Sequence, residues 1–323
     1  MNIKEKIAKS KKTIILTVLL CILCVAAGLL ISRPLIKKHS EKKVEAYQDK
    51  LNEDGIAIDT ENNPYFMEKQ PGYDYRSPKT ITYESKVTGT KRKAMVFLPA
   101  DYDEEKEYPV LYLLHGYGGS QKTWRNKKAD IIVQNVHYFK DAAEMIVVCP
   151  DCVVGENVDD DISFWDVIPY FDKTEEELIG SLMPYIEEHF SVKTGRDNTA
   201  IAGNSMGGRN ALAIGFKHQD MFGYVGGFSS VSPLYTEKYQ DSIPALTDSL
   251  TIDESTGQFK LLMLCVGRSD NVCGDVTYEL HDYFNQNGVE HIFYDVEGGH
   301  QNTVWQNALY NFAQRIFKQD YGD

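Results

Sequence analysis

Cysteine is scarce in this chain, which has only six in 323 residues. Two of the six lie in an amino-terminal apolar run, so four remain for the rest of the chain: Cys149, Cys152, Cys265 and Cys273. Four cysteines in a body of this size do not make a disulfide framework, although they leave room for one disulfide. The Cys-x-x-Cys spacing of the first two ends an apolar run instead of opening a helix, so we do not interpret it as a redox motif.

Metal and phosphate motifs are absent from the sequence. It contains no His-Glu-x-x-His or other zinc spacing, and no Gly-x-x-x-x-Gly-Lys-Ser/Thr phosphate loop. The acidic run Asp159-Asp160-Asp161 is not followed by the ligand spacing of a calcium loop and is more typical of a solvated loop. We therefore expect no metal and no cofactor.

Positive charge is scarce outside the amino terminus. Residues 1–43 carry a net charge of +8, whereas residues 44–323 carry −21. An acidic body repels phosphate backbones, so we expect no nucleic-acid partner.

Only one long apolar run is present, from Thr13 to Ile31, and it contains no charged residue. As a helix it would span about 28 Å, close to the thickness of the hydrocarbon core of a bilayer. We predict a short basic tail at 1–12, a transmembrane signal anchor at 13–31, a polar juxtamembrane linker at 32–70 and one large domain at 71–323. A lone amino-terminal anchor on such a domain usually serves export, so we expect the domain to be extracellular. The alternative is secretion after signal cleavage near Ala27.

The large domain alternates between strand and helix patterns. Thr80–Tyr83 and Ala94–Leu98 are rich in β-branched and aromatic residues and predict an antiparallel pair of strands. A helix is predicted from a capping box at Thr174–Glu177 to about His189. Further strands are predicted from short, nearly continuous apolar runs, which are typical of a sheet covered on both faces: Val110–Leu114, Met145–Cys149, Thr199–Ala202, Tyr224–Phe228, Leu261–Val266 and His291–Val296. The alternation predicts an α/β fold with a mostly parallel, doubly wound sheet.

A glycine-rich turn follows one of these strands. Gly203-Asn204-Ser205-Met206-Gly207 matches Gly-x-Ser-x-Gly and is followed by a helical pattern. In a nucleophile elbow the chain reverses so tightly that side chains at the flanking positions would clash, and the helix directs free N–H groups at the site. We predict that Ser205 is a nucleophile and that the two glycines make room for it.

A serine nucleophile needs a base, and the base needs an acid. His300 follows a predicted strand in Glu297-Gly298-Gly299-His300, and Asp270 follows another in Gly267-Arg268-Ser269-Asp270. We expect both to lie at the same edge of the sheet as Ser205. The chain order serine, aspartate, histidine is that of the α/β-hydrolases. Asp275, at the start of the next helix, is the nearest rival for the acid.

Two backbone N–H groups are expected to stabilise the oxyanion that such a reaction forms. One belongs to Met206, directly after the nucleophile. We assign the other to Tyr117, in the loop His115-Gly116-Tyr117-Gly118-Gly119 at the end of a predicted strand.

Together these motifs resemble those of carbohydrate esterase family one, which contains feruloyl and acetylxylan esterases. The resemblance covers roughly residues 71–317 and implies an α/β-hydrolase fold that hydrolyses ester-linked acyl groups through an acyl-enzyme. Asn204 departs from the family, since many of its members carry an apolar residue there. The motifs concerned are His115–Ser120 with Trp124, Ala202–Gly208, Gly267–Asp270, and Gly298–His300 with Trp305.

Several residues near these motifs are expected to contact the substrate. Trp165, Tyr170 and Phe171 lie in a long segment after a strand, where they could form an aromatic wall for a sugar or aryl ring. Core packing is the alternative for these three aromatic residues. His115 and Trp124 complete the predicted set.

These inferences predict a membrane-anchored extracellular serine esterase that removes acyl groups, of acetyl or feruloyl type, from glycans. Its expected partner is an acylated polysaccharide or oligosaccharide. Acyl transfer to a sugar hydroxyl is one alternative, and a surface module that binds glycans without catalysis is another.

Overall fold

Short apolar segments form the parallel strands of this protein, as the hydrophobic runs of its sequence predict. The computed structural model describes residues 49–60, 62–159, 161–235 and 243–318. The strands are β1 (Lys50–Leu51), β2 (Ala57–Asp59), β3 (Lys79–Glu84), β4 (Lys91–Phe97), β5 (Val110–Leu114), β6 (Ile146–Pro150), β7 (Thr199–Asn204), β8 (Tyr224–Phe228), β9 (Leu261–Gly267) and β10 (Ile292–Val296).

Helices occupy most of the connections between strands. They are α1 (Thr123–Asn126), α2 (Ala129–Lys140), α3 (Phe164–Phe171), α4 (Thr174–Glu177), α5 (Met183–His189), α6 (Met206–Lys217), α7 (Gly274–Gln286) and α8 (Asn302–Ala313). A π-helical turn, Leu178–Leu182, joins α4 to α5, and a short 3-10 helix, Arg196–Asn198, precedes β7.

Eight strands form the main sheet in the order β10-β9-β8-β7-β5-β6-β4-β3. From β6 to β10 all neighbouring strands are parallel. The first strands, β3 and β4, form an antiparallel pair, and β4 also runs antiparallel to β6. The predicted α/β fold with a mostly parallel sheet is therefore confirmed. Because β5, β7, β9 and β10 are parallel, their carboxyl ends lie at one edge of the sheet.

Both faces of the sheet are covered at its centre, which explains why β5, β6, β7 and β8 are buried along their whole length. On one face, Ile132 of α2 and Leu309 of α8 belong to one buried cluster. On the other face, Leu212 of α6 and Leu280 of α7 belong to a second buried cluster. The two clusters pack against opposite faces of the sheet and fix the positions of its strand ends.

The predicted helix from Thr174 to His189 is present, but the capping box is wrong. Thr174 Oγ1 donates to the Cys152 carbonyl at 3.1 Å. Glu177 turns toward the sheet, where it accepts a hydrogen bond from Ser85 Oγ at 2.6 Å and pairs with Arg92 at 3.1 Å. Tertiary partners therefore compete successfully with the local cap.

Residues 49–68 pack with the chain from Tyr75 onward in one compact unit, so the expected linker does not hold for them. Ile56 and Phe66 are buried. The Ala57 N–H donates to Asn311 Oδ1 at 2.9 Å, and its carbonyl accepts from Asn307 Nδ2 at 2.8 Å. Polar side chains of α8 thus bind this segment. Residues 69–74 belong to a second unit.

The predicted tail at 1–12 and the predicted anchor at 13–31 lie outside the described residues. Among the residues that the structure describes, no helix has the length and apolar character needed to cross a membrane.

No disulfide joins the cysteines of the described residues. Cys149, Cys152, Cys265 and Cys273 are all buried. Burial raises the pKa of the Cys265 thiol to about 12. A thiol with a raised pKa is a poor nucleophile, so the thiol of Cys265 acts as a core side chain.

Candidate active site

Ser205 occupies the turn between β7 and α6 with a strained backbone, φ 55° and ψ −123°. Such a conformation costs a residue with a side chain about 1–3 kcal/mol, so the surroundings must hold it. The Ser205 N–H donates to the Phe228 carbonyl of β8 at 3.0 Å, and its carbonyl accepts from the Arg209 N–H at 3.1 Å. The sheet and the helix together fix the turn and leave the serine side chain partly exposed.

Gly203 and Gly207 are required by the close approach of three backbone segments at this turn. A Cβ at Gly203 would lie 2.5 Å from the Gly207 carbonyl oxygen. A Cβ at Gly207 would overlap the His115 carbonyl oxygen and lie 2.6 Å from that of Leu114. The glycines therefore let β5, the elbow and α6 pack in direct backbone contact.

The structure brings Ser205, His300 and Asp270 together in one hydrogen-bonded row. His300 Nε2 lies 3.0 Å from Ser205 Oγ, and His300 Nδ1 lies 2.9 Å from Asp270 Oδ2. Ser205 follows β7, Asp270 follows β9 and His300 follows β10. With Nδ1 protonated and donating to the carboxylate, Nε2 can accept the serine proton.

Asp270 is held as an ionised acceptor. Its Oδ1 accepts hydrogen bonds from the Val272 N–H at 2.9 Å and the Cys273 N–H at 2.8 Å. Burial alone raises the pKa of Asp270, but the bonds from His300 and the Cys273 N–H outweigh burial and lower it to about 2. The rival Asp275 is exposed in the first turn of α7. The acid next to the histidine is therefore Asp270.

Two backbone segments flank the serine where oxyanion donors are expected. Met206 begins α6, so its N–H belongs to the first turn, which has no earlier carbonyl to accept it. On the other side, Gly116 packs so tightly that a Cβ on it would lie 3.0 Å from Ser205 Cβ. Tyr117 follows Gly116 directly, and the loop turns back through Gly118 with φ 69°. The loop that carries Tyr117 therefore adjoins the nucleophile.

His115 and Trp124 support this loop from beneath, which corrects the expectation that they contact substrate. His115 has no exposed surface: its Nδ1 lies 2.7 Å from the Gly116 carbonyl, and its Nε2 accepts from the Cys152 N–H at 2.9 Å. Trp124 is also buried, and its Nε1 donates to the Leu114 carbonyl at 2.9 Å. Both side chains use their polar atoms to fix backbone at the end of β5.

The aromatic wall divides into an exposed part and a buried part. Trp165 is 56% exposed and packs edge-on against Phe164. Tyr117, 46% exposed, packs edge-on against Phe164 and donates from its hydroxyl to the Ile162 carbonyl at 3.0 Å. The sequence did not single out Phe164.

Phe171 and Tyr170 lie on the inner side of the same segment. Phe171 is fully buried against His115 and is a core residue, so the alternative of core packing holds for it. Tyr170 is half-buried over Gly155, where a Cβ would lie 2.5 Å from its ring. Phe171 therefore has no surface for substrate.

Lys127 is a site neighbour that the sequence reasoning missed. Its ammonium donates to Asn204 Oδ1 at 3.2 Å and lies 4.1 Å from the centre of the Trp305 ring. Trp305 in turn packs edge-on against His300, with ring centres 5.0 Å apart. A single lysine between two helical segments matches no sequence motif, so nothing in the sequence indicates that it lies next to the active site.

In the described part of the chain, no group of three His, Cys, Asp or Glu side chains could hold a metal ion. The central residue of the acidic run, Asp160, lies outside the described residues.

The fold and this arrangement define a class of enzyme. A serine on a strained strand-to-helix elbow, beside a histidine and an aspartate from later strand ends, is the arrangement of the α/β-hydrolases. The chain belongs to the family described as Putative esterase, whose sequence model matches residues 85–316. It is therefore a carboxylic ester hydrolase.

Comparison with known proteins gives similar enzymes. A CE1 ferulic acid esterase from the anaerobic fungus Anaeromyces mucronatus is 34% identical with a TM-score of 0.71, over 83% of this chain and 98% of that one. An endo-1,4-beta-xylanase/feruloyl esterase of Xylanibacter ruminicola is 30% identical over 54% of this chain but only 24% of its own length. An acetyl esterase of Caldicellulosiruptor saccharolyticus is 23% identical over 74% of this chain and 97% of its own length.

Proposed function

We propose that this chain is a serine esterase that hydrolyses feruloyl- or acetyl-type esters on glycans, with Ser205, His300 and Asp270 as its catalytic triad. The observation that carries the proposal is the hydrogen-bonded row in which His300 lies 3.0 Å from Ser205 Oγ and 2.9 Å from Asp270. These distances are within the range that proton transfer from a nucleophile to its base requires.

In the first half of the reaction, Ser205 Oγ attacks the ester carbonyl while His300 Nε2 takes its proton. The resulting oxyanion is stabilised by the N–H groups of Met206 and Tyr117. Asp270 stays ionised and stabilises the imidazolium of His300. When the tetrahedral intermediate collapses, His300 returns the proton to the glycan oxygen, which leaves as an alcohol, and the acyl group remains on Ser205.

In the second half, water replaces the alcohol. His300 takes a proton from the water as it attacks the acyl-enzyme, and the second tetrahedral intermediate uses the same two N–H groups. Its collapse returns the proton to Ser205 Oγ and releases the carboxylic acid. A sugar hydroxyl in place of water would give acyl transfer, so product analysis with and without added sugar distinguishes the two outcomes.

The acyl group that we favour is aromatic. Tyr117 presents an exposed ring from the loop that also carries an oxyanion donor, and Phe164 and Trp165 extend this surface. The relatives named as ferulic acid or feruloyl esterases add support from similarity. Acetyl esters are the second candidate, because one relative over most of this chain is named an acetyl esterase.

The decisive variant is Ser205→Ala, with the exposed Ser255→Ala as a matched control. We expect Ser205→Ala to fold but to lose hydrolysis of methyl ferulate and p-nitrophenyl acetate, as well as labelling by a fluorophosphonate. Ser255→Ala should keep all three. Activity in the Ser205 variant would refute the mechanism, and an unlabelled wild type would favour a module that only binds glycans. Comparing kcat/KM for feruloyl, acetyl and longer acyl esters identifies the acyl group.

We further propose that residues 13–31 anchor the enzyme in the cell membrane with the catalytic domain outside. The supporting observation is the uncharged run itself, flanked by lysines. Protease added to intact cells should then remove the catalytic domain, whereas the protein should remain with membranes in untreated cells. Release into the medium, with a mature amino terminus near Ala27, would favour secretion instead.

A further inference from the structure

Lys127 is a buried cation next to the proposed active site. It is 7% exposed and lies between α1 and α2. Its Nζ faces the rings of Trp305 at 4.1 Å and Trp124 at 4.8 Å, and it donates to Asn204 Oδ1 at 3.2 Å. No carboxylate of the described residues pairs with it.

Such a site is costly to build. A buried ammonium without a counter-ion loses its hydration, and cation–π contacts with one amide acceptor replace only part of it. Burial accordingly lowers the pKa of Lys127 to about 7. A methionine of similar length would fill this space without that penalty, which points to a role for the charge itself.

Through Asn204 and Trp305, the contacts of Lys127 lead to the Ser205 elbow, the loop that carries Tyr117 and His300. Asn204 directly precedes Ser205, and its Nδ2 lies against the backbone of the loop that carries Tyr117, where a Cβ on Gly116 would be 3.0 Å away. Trp305 packs against His300.

The backbone of the lysine adds a further link. Its carbonyl accepts from Gln306 Nε2 of α8 at 2.9 Å, which ties this turn to the helix that follows His300. The neighbouring Trp124 donates to Leu114 at the end of β5. The lysine therefore lies close to the Ser205 elbow, the loop that carries Tyr117 and the helix that follows His300.

We propose that the Lys127 ammonium is a positioning residue for the reaction: it orients Asn204 behind the nucleophile and holds the Trp305 ring against His300. This inference rests on the proposed esterase function. The lysine does not touch the substrate. Loss of its proton ends its attraction to the indole rings, so the proposal gives the reaction a pH dependence that comes from outside the triad.

The surroundings leave few other groups that could cause this dependence. Neither residues 203–208 of the elbow nor α8 carries a carboxylate, a histidine or a cation, and Arg209, the next residue along α6, pairs with Asp172 at 2.6 Å. Other titratable groups on the neighbouring segments include Arg125, Lys128 with its partner Glu68, Asp130, His137 and Lys140 of α2, His115 with Asp151, Tyr310 of α8, and His300 with Asp270.

The test compares Lys127→Met and Lys127→Arg, with Lys128→Met as the control, because Lys128 is more exposed and pairs only with an exposed Glu68. We expect Lys127→Met to lower kcat by about 10- to 100-fold with KM unchanged, since a small displacement of reacting groups has this effect. The wild-type kcat should fall as the pH rises above about 7, and this alkaline fall should be absent from Lys127→Met. Lys127→Arg, which stays charged, should recover kcat and keep it at alkaline pH.

Several outcomes would overturn the inference. If folded Lys127→Met keeps the wild-type kcat and alkaline fall, the ammonium positions nothing. If that variant does not fold, Asn204→Leu decides, because it removes the acceptor of the ammonium; an unchanged kcat and pH profile in Asn204→Leu would also refute the proposal. An inactive wild type, by contrast, refutes the esterase function itself, so the two failures are distinguishable.

Discussion

Gly207 offers a direct test of how the elbow is packed, because its neighbours are backbone atoms that cannot rotate away. A Cβ there would overlap the His115 carbonyl oxygen and lie 2.6 Å from that of Leu114, whereas packed non-bonded atoms lie at roughly 3.5 Å. In Gly207→Ala the end of β5 must therefore move by about 1 Å. Overpacking lowers the free energy of unfolding by about 1–3 kcal/mol or more, whereas replacing a helical glycine with alanine raises it by up to about 1 kcal/mol. We expect a net loss of about 2 kcal/mol in the free energy of unfolding.

The same displacement should reduce catalysis, because the carbonyls that must move lead directly into the Tyr117 loop. A shift of about 1 Å can cost about 100-fold in kcat. Urea unfolding and p-nitrophenyl acetate hydrolysis measure the two effects. The control is Gly180→Ala, in the π-helical turn, where a Cβ meets no atom within 4 Å and φ is not positive. It should raise stability by about 0.5–1 kcal/mol and leave kcat unchanged. If Gly207→Ala matches this control, the backbone packing described here is wrong.

Three further substitutions test the surroundings of the site. Arg92→Met should lower the free energy of unfolding by about 3–5 kcal/mol, because it leaves the buried carboxylate of Glu177 without its cation; a loss under about 1 kcal/mol in urea unfolding would contradict this. Burial lowers the pKa of Lys127 from 10.5 to about 7, so between these values the unfolded chain binds a proton that the folded chain has released, and stability gains from rising pH. Lys127→Met should remove this gain, which urea unfolding of both proteins at pH 7 and about 9.5 measures. If the variant shows the same pH dependence of stability as the wild type, the lysine is not buried in this way. Tyr117→Phe should raise KM for methyl ferulate about threefold with little change in kcat, because the ring stays but its bond to the Ile162 carbonyl is lost; an unchanged KM would show that this bond does not shape the substrate surface.

The sequence predicted the frame of the site because local patterns encode it. Continuous apolar runs marked the strands of a sheet covered on both faces, and glycines marked the turn at which Ser205 lies. Parallel strands then bring their carboxyl ends to one edge, so Asp270 and His300 could be placed beside the serine without knowledge of any contact. The hydrogen bonds among Ser205, His300 and Asp270 therefore follow from the order and direction of the strands, and the residues next to each of them in the sequence contribute less.

The features that the sequence did not predict depend on distant partners. The segment at 49–68 is polar and irregular, and its binding sites, Asn307 and Asn311, lie about 250 residues further along the chain. The side chains of His115 and Phe171 lie near conspicuous motifs, but only burial separates a residue that lines a site from one that supports it. The assignment of the oxyanion donors stays a prediction.

The structure gives a physical reason for Asn204, which stands where many members of the family carry an apolar residue. The side chain is 2% exposed, so an apolar residue would fit that environment better if packing alone decided. Its Oδ1, however, accepts the hydrogen bond of the Lys127 ammonium at 3.2 Å. An apolar side chain at position 204 would leave the Lys127 ammonium with aromatic faces as its only partners. An apolar residue at position 127 would leave the buried Asn204 amide oxygen without its hydrogen-bond donor. An unpaired buried polar group of this kind costs about 1–3 kcal/mol. The two positions are therefore coupled: each polar residue is tolerable only because of the other, and an apolar pair should replace them together more easily than either alone.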